Sequence, residues 1–357
     1  MARPPITSRP VRGALFGYGS IGPVHMVCVR GSDDGATAPV PDAAIVAVAE
    51  PDPARAARVP AGIAVYPDYA TLLREATVDV AHICLPHNLH APAVIAAAEC
   101  GLSIICEKPM ALTAAEARRM RDAVRTNGVG FSLISQNRLN REKAWLKECV
   151  AAGDMGALRR IDWRVDWFRS AAYYAETGGW RGCDAQARGG ALSNQAYHTL
   201  DLAMWLADAP AREVTATTSI NAELHPGIDV PDTLEGELIF ENGIRSRFFV
   251  TVCGNPKDVI TIEVVGAQNG ALTRVLVDGN AVVQQNVVAE TPSFDAGGPA
   301  LGKACYGSSH QENIARSYEA FMSGARAPVD AETGIRVLAV IDAILASDGR
   351  PVRVDAF

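Results

Sequence analysis

Two groups of residues in this sequence have the types and spacing to do chemistry. The first is built around Gly17-Tyr18-Gly19-Ser20-Ile21-Gly22, which follows the apolar run Val11–Phe16 and opens a helix predicted over 21–30. A glycine turn between a strand and a helix exposes backbone N–H groups to phosphate, and the missing Cβ atoms let a pyrophosphate approach closely. Gly17, Gly19, Ser20, Ile21 and Gly22 are therefore candidate contacts to a dinucleotide. Glu50 ends the next apolar run, 44–49. A carboxylate there accepts hydrogen bonds from ribose hydroxyls and repels a 2′-phosphate, so NAD is expected rather than NADP. Asp52 before Pro53 reads as a helix cap. Ligands of such sheets bind beyond the carboxyl ends of the strands. Leu85-Pro86-His87-Asn88-Leu89-His90, Cys106-Glu107-Lys108-Pro109 and Gln136-Asn137-Arg138 fall at such ends. Pro86, Asn88, His90, Glu107, Lys108, Pro109 and Asn137 complete the expected cofactor contacts, with a helix-start role as the other reading of His87 and His90.

The second group lies in a helix predicted over 193–206. Asn194, Tyr197, His198 and Asp201 share one face, while Leu202, Trp205 and Leu206 line the side that would pack in a core. A polar face with a histidine suits a hydroxylated ligand. Oxidising an alcohol sends a hydride to a nicotinamide and a proton to a base. Lys108 is placed to be that base, provided that partial burial or a neighbouring cation eases loss of its proton. His198 can be that neighbour, an alternative base, or the group that orients the hydroxyl. Tyr173, Trp180 and Arg181 are candidates for a substrate wall, since aromatic faces stack on C–H surfaces and Arg donates to hydroxyls or a carboxylate. A packed sheet edge is the other reading of these three. His310, with Asn313, opens a late helix and is expected to reach substrate.

The elements that must hold these groups fall into two patterns. As far as about residue 136, short apolar strands (11–16, 44–49, 78–85, 102–106, 130–135) alternate with helices (21–30, 53–58, 69–76, 92–100, 113–127), which predicts a parallel sheet covered on both faces. Beyond it, longer strands (158–168, 213–221, 233–240, 245–252, 259–265, 271–277) often alternate polar and apolar residues. Turn signals such as Glu241-Asn242-Gly243 separate them. Helices are predicted over 141–152, 193–206, 311–322 and 331–346, and 290–306 reads as a loop. The expectation is an α/β chain: a doubly wound parallel dinucleotide-binding domain over 10–136, then an α+β domain over 137–357 with an open, largely antiparallel sheet. That sheet can bury its free face only against another chain, so a homodimer or homotetramer is expected.

Taken together, the glycine turn, the Pro86–His90 segment, Glu107-Lys108-Pro109 and Gly189-Gly190-Ala191-Leu192-Ser193-Asn194-Gln195-Ala196-Tyr197-His198-Thr199-Leu200-Asp201 resemble the Gfo/Idh/MocA oxidoreductases over nearly the whole chain and in the family's order. The resemblance implies a Rossmann domain followed by an α/β domain with an open sheet. It implies oxidation or reduction at a sugar or cyclitol carbon by a tightly held nicotinamide. It places a catalytic lysine at Lys108, a catalytic histidine at His198, and the carboxylate four residues before that histidine at Asn194. This chain departs from the pattern there, because Asn cannot accept a proton; Ala196 and Arg188 also stand where glycines are common. The stretch from Trp167 to Tyr174, followed by Trp180-Arg181-Gly182, resembles a subset acting on pyranose-like substrates.

Composition narrows the alternatives. The 357 residues suit two domains, and 48% of them are hydrophobic. A net charge of −7 without a Lys/Arg block argues against nucleic acid. None of the eight cysteines forms a C-x-x-C pair and no histidine cluster adjoins them along the chain, so neither a metal site nor a disulfide framework is expected. The first dozen residues lead into no apolar signal core, and no run approaches the roughly 18 residues that span a bilayer; a cytoplasmic chain with no membrane partner is expected. Two other functions fit the same residues: an NAD-dependent glycoside hydrolase that oxidises transiently, and an NAD-binding sensor without catalysis.

Overall fold

The computed structural model describes residues 5–254, 256–287 and 309–355. The loop expected over 290–306 lies outside these residues. The chain divides into two compact units.

The first unit carries a six-stranded parallel sheet: β1 (Val11–Phe16), β2 (Ala43–Ala49), β3 (Ala64–Tyr66), β4 (Val80–Ile83), β5 (Ser103–Cys106) and β6 (Phe131–Leu133), in the order β3-β2-β1-β4-β5-β6. This is the doubly wound Rossmann order, with its switch point between β1 and β4. β4 and β5 are buried along their whole length, and apart from His82 and Ser103 their residues are apolar. Val11, Leu15, Val48, Val80 and Ile105 form the wall of the core. Helix Ser309–Ser323 belongs to this unit and adds Ile314, Tyr318 and Phe321 to the same core. Gly13 makes room for it: a Cβ there would sit 2.4 Å from Tyr318 Oη. The unit is therefore not one continuous stretch of sequence ending at residue 136.

The second unit holds an eight-stranded mixed sheet of β7 (Ala157–Asp166), β8 (Ala211–Ser219), β9 (Thr233–Phe240), β10 (Arg245–Thr251), β11 (Val259–Gln268), β12 (Ala271–Asp278), β13 (Ala281–Gln285) and β14 (Val352–Arg353). Its order is β13-β12-β11-β7-β10-β9-β8-β14, antiparallel except for β10 against β7. One face buries Ile161, Trp163, Val165, Phe248 and Val250, with Trp163 stacked on Phe248 at 5.1 Å. The other face is an ion-pair lattice. Arg160 pairs with Asp162 and Glu263, Arg247 with Asp162, and Arg245 with Glu237. The free face of the sheet is thus charged, so any subunit contact made there is polar.

Candidate active site

In the first unit the glycine turn is fixed by contacts that only glycine permits. Gly17 has φ +97°, its N–H donates to Ala49 O, and a Cβ on it would lie 2.4 Å from Cys84 O. A Cβ on Gly22 would lie 2.5 Å from Gly17 O. A Cβ on Gly19, by contrast, would meet only Arg55 Nη1 at 4.0 Å, so the turn is open on that side. Helix Gly22–Arg30 starts without a side-chain cap and without an acidic residue in its first turn. Its N–H groups and positive dipole end fit a pyrophosphate.

Glu50 is buried and its carboxylate is already oriented. Oε2 accepts from Tyr18 N at 2.7 Å, Oε1 accepts from Asp52 N at 3.0 Å, and Arg55 Nη1 lies 3.7 Å away. One side chain therefore couples the end of β2 to the glycine turn while keeping lone pairs for ribose hydroxyls. Asp52 caps helix Pro53–Ala56 as expected, accepting from Ala54 N at 2.8 Å.

The Lys108 segment leaves β5 and is held from two sides. Lys108 N donates to Glu107 Oε2 at 3.0 Å. His90 bridges Pro109 O and Leu85 O, each at 2.8 Å, and burial pushes its pKa down against those two carbonyls. The neutral ring donates to one of these carbonyls and sits between two strand-end loops with both nitrogens turned to the backbone. Pro86 precedes the short 3₁₀ turn His87–Leu89 and Asn88 lies within it, both half-buried, and Lys108 is half-buried.

Glu107 points inward. Burial alone would raise its pKa, yet the ring nitrogens of His25 (3.1 Å) and His310 (3.3 Å) outweigh that and hold it well below the usual carboxylate range. Behind it His25 Nδ1 bonds His82 Nδ1 at 2.9 Å, and His82 Nε2 bonds Tyr318 Oη at 2.8 Å. His310, expected at the substrate, is buried in this cluster. Burial lowers the pKa of His25 and, more strongly, of His82. Neither histidine figured among the sequence candidates. The signal was available: His82 interrupts an otherwise apolar strand that is buried on both faces.

In the second unit the helix predicted over 193–206 is interrupted. Leu192–Ala196 forms a π turn, and an α-helix runs over Tyr197–Ala207. Gly189 and Gly190 precede the π turn at positive φ, and a Cβ on Gly190 would lie 2.1 Å from Pro231 O. The π turn carries Asn194, whose Nδ2 donates to Gly190 O at 3.2 Å, one residue turn away from the α-helical frame of His198. His198 is buried in the first α turn. Asp201 does not join a ligand-facing row. Its two oxygens accept from Arg138 Nε at 2.8 Å and Nη2 at 2.5 Å, and that guanidinium lies 5.5 Å from the Trp205 ring. Asn137, just before it in the 3₁₀ turn Gln136–Leu139, is buried, and its Oδ1 has no hydrogen-bond partner among the described residues.

Tyr173, Trp180 and Arg181 do come together. The Arg181 guanidinium lies 4.9 Å from the Tyr173 ring and 5.1 Å from Trp180. The sequence reading missed Arg169, which approaches Tyr173 at 5.7 Å and Trp167 at 4.5 Å. Gln195, on the π turn, donates to Tyr173 Oη at 2.8 Å. Burial raises the Tyr173 pKa against the pull of both arginines, so its hydroxyl stays protonated. Arg169 Nη2 is buried without a hydrogen-bond partner among the described residues. Its backbone carbonyl accepts from or faces His225 Nε2 at 2.7 Å, and His225 Nδ1 pairs with Asp232 at 2.8 Å.

Comparison with known proteins decides the family. Residues 11–134 match the oxidoreductase family with NAD-binding Rossmann fold of the GFO/IDH/MocA group, and residues 144–272 match the GFO/IDH/MocA C-terminal domain. The chain belongs to the GFO/IDH/MocA oxidoreductases. Its first unit is accordingly an NAD-binding Rossmann domain, and dehydrogenases of levoglucosan and inositol are among the relatives it matches. It is 28% identical to trans-1,2-dihydrobenzene-1,2-diol dehydrogenase of Mus musculus over 190 residues, 53% of this chain and 54% of that protein. It is 33% identical to levoglucosan dehydrogenase of Pseudarthrobacter phenanthrenivorans over 141 residues, 39% and 35% of the two chains. The chain thus spans about half the length of the first curated relative and a third of the second. Its fold superimposes on the WlbA dehydrogenase from Bordetella pertussis, solved with NADH and UDP-GlcNAcA, with a TM-score of 0.86, 26% identity and coverage of 99% and 100% of the two chains. Among the described residues no helix is long and apolar enough to cross a membrane.

Proposed function

We propose that this chain is an NAD-dependent dehydrogenase acting on a secondary alcohol of a sugar, sugar derivative or cyclitol, with Lys108 and His198 handling the proton. The observation that carries the reading is the Lys108 segment. Its backbone is held by Glu107 Oε2 and its flanking proline carbonyl by His90, at the carboxyl end of the Rossmann strand beside which ligands of this fold bind. When bound, the nicotinamide supplies the acceptor for the hydride, and the alcohol proton is left for the protein to take. Lys108 is the amine for it. His198, buried on a fixed helical turn, orients the hydroxyl or takes the proton. Asn194 contributes an amide hydrogen bond, not proton acceptance. Glu50 favours NAD over NADP.

Arg169 and Arg181, stacked on Tyr173, Trp167 and Trp180, suit a ring with apolar C–H faces and a carboxylate or phosphate at its rim. A substrate in the class of acidic or nucleotide-linked pyranoses follows, in keeping with the ligand of the WlbA dehydrogenase. We further propose a cytoplasmic homodimer or homotetramer, which light scattering of the full chain tests.

The test is a panel of neutral sugars, cyclitols, uronic acids and nucleotide-linked sugars assayed for NADH absorbance with NAD. Net NADH formation with one class supports a dehydrogenase. Release of an aglycone without net NADH indicates a glycoside hydrolase instead. Lys108→Ala is expected to keep NAD binding and lose turnover, and full turnover in that variant refutes the assigned chemistry.

A further inference from the structure

His25 Nε2, Glu107 Oε1 and His310 Nε2 converge inside the Rossmann unit from a helix, a strand end and the late helix Ser309–Ser323. The edges of the triangle are 3.1 Å (His25 to Glu107), 3.3 Å (His310 to Glu107) and 3.3 Å (His25 to His310). All three residues are buried. Hydrogen bonds alone leave such a triangle frustrated. If both imidazoles donate to the carboxylate, their N–H groups confront each other across 3.3 Å. If one donates to the other instead, the acceptor's lone pair confronts the carboxylate oxygen at the same distance. No arrangement of protons on neutral rings makes all three edges attractive.

A cation at the centre removes the conflict, because all three atoms then present lone pairs to it. The size fits as well: ligands at about 2.0–2.1 Å from a tetrahedral zinc stand about 3.3 Å from one another. A divalent ion also balances the buried charge of Glu107. The outer contacts are those of a metal-bound histidine. With Nε2 given to the metal, His25 donates from Nδ1 to His82 Nδ1 (2.9 Å), and His82 donates from Nε2 to Tyr318 Oη (2.8 Å). Glu107 Oε2 remains free to hold Lys108 N.

We propose that His25, Glu107 and His310 form a binding site for a borderline divalent metal of the zinc class, with the fourth position left to a water or small ligand. The site anchors the carboxylate that holds the Lys108 backbone. Sequence spacing could not show it, since 82 residues separate His25 from Glu107 and 285 separate it from His310.

The experiment uses the full chain, stripped with chelator and reloaded with Zn²⁺ or Co²⁺ alone. Expected results are stoichiometric metal by mass spectrometry after desalting, the visible d–d bands of four-coordinate Co²⁺, and a higher melting temperature with Zn²⁺. Metal is expected to be lost in His310→Gln and in His25→Gln and kept in His225→Gln, whose cluster lies in the second unit. Should the first two variants fail to fold, X-ray absorption of the zinc-loaded wild type decides: two imidazoles with oxygen support the site, and sulfur-dominated coordination overturns it. Failure of the wild type to retain Zn²⁺ or Co²⁺, or Co²⁺ bands that survive His310→Gln, also overturns it. None of these readouts depends on the substrate or on turnover.

Discussion

Asp201→Asn separates two roles that the helix of His198 can give to its acidic residue. The Asp201 side chain is 1% exposed and receives two hydrogen bonds from Arg138, whose side chain is 16% exposed and lies over Trp205. The substitution keeps the shape but sets an amide against the guanidinium and removes the negative charge. Removing one partner of a buried ion pair costs about 3–5 kcal/mol because the other charge is left uncompensated. Arg138 keeps some solvent contact, which places the expected loss at the lower end, about 3 kcal/mol. Urea unfolding of the full chain, followed by tryptophan fluorescence, should show a lower midpoint with an unchanged slope. The double variant Arg138→Met with Asp201→Leu should recover most of the loss, since apolar residues of similar volume replace such pairs well. Unchanged stability together with abolished turnover would refute the reasoning and give Asp201 a direct role at the ligand.

Gly17→Ala should abolish NADH binding, measured by fluorescence, because the new methyl lies 2.4 Å from Cys84 O at a φ of +97°. Glu50→Gln should weaken NAD binding and relax discrimination against NADP. The comparison is the ratio of kcat/KM for the two cofactors, and an unchanged ratio would remove Glu50 from ribose recognition. Asp330 is held below its ordinary pKa: burial would raise it, but Arg326 and the N–H and hydroxyl of Thr333 prevail. A depressed folded-state pKa stabilises above the unfolded value and loses that stability as pH falls through the folded one. Asp330→Asn should therefore flatten the acid limb of the stability profile below about pH 4 while keeping the helix cap, since an Asn Oδ1 also accepts from Thr333 N; a superimposable acid limb would contradict the assignment.

What the sequence displays are features with local causes. The Rossmann strands show because burial on both faces demands mostly apolar runs, and the glycine turn shows because no other residue fits it. β3, β13 and β14 escape notice for the opposite reason: they are short or sit at sheet edges, where burial imposes little pattern. The π turn at Leu192–Ala196 leaves no local mark, and the close approach of Gly190 to Pro231 just before it is made across the fold. Among the site residues, Glu50 and the Lys108 segment follow from strand ends. His90, His310 and Asp201 have the right chemical types, and partners distant in sequence turn them inward.

The return of helix Ser309–Ser323 to the first unit bears on how the chain is made. Ile314, Tyr318 and Phe321 complete the wall that Val11, Leu15 and Val48 begin. An emerging polypeptide must therefore hold that wall incomplete until helix Ser309–Ser323 has left the ribosome, although domains otherwise settle from the N-terminus as synthesis proceeds. The nucleotide-binding unit closes only after β7 to β13 of the second unit have been made, and a fragment that stops after β6 would leave an apolar surface open to chaperones and to self-association.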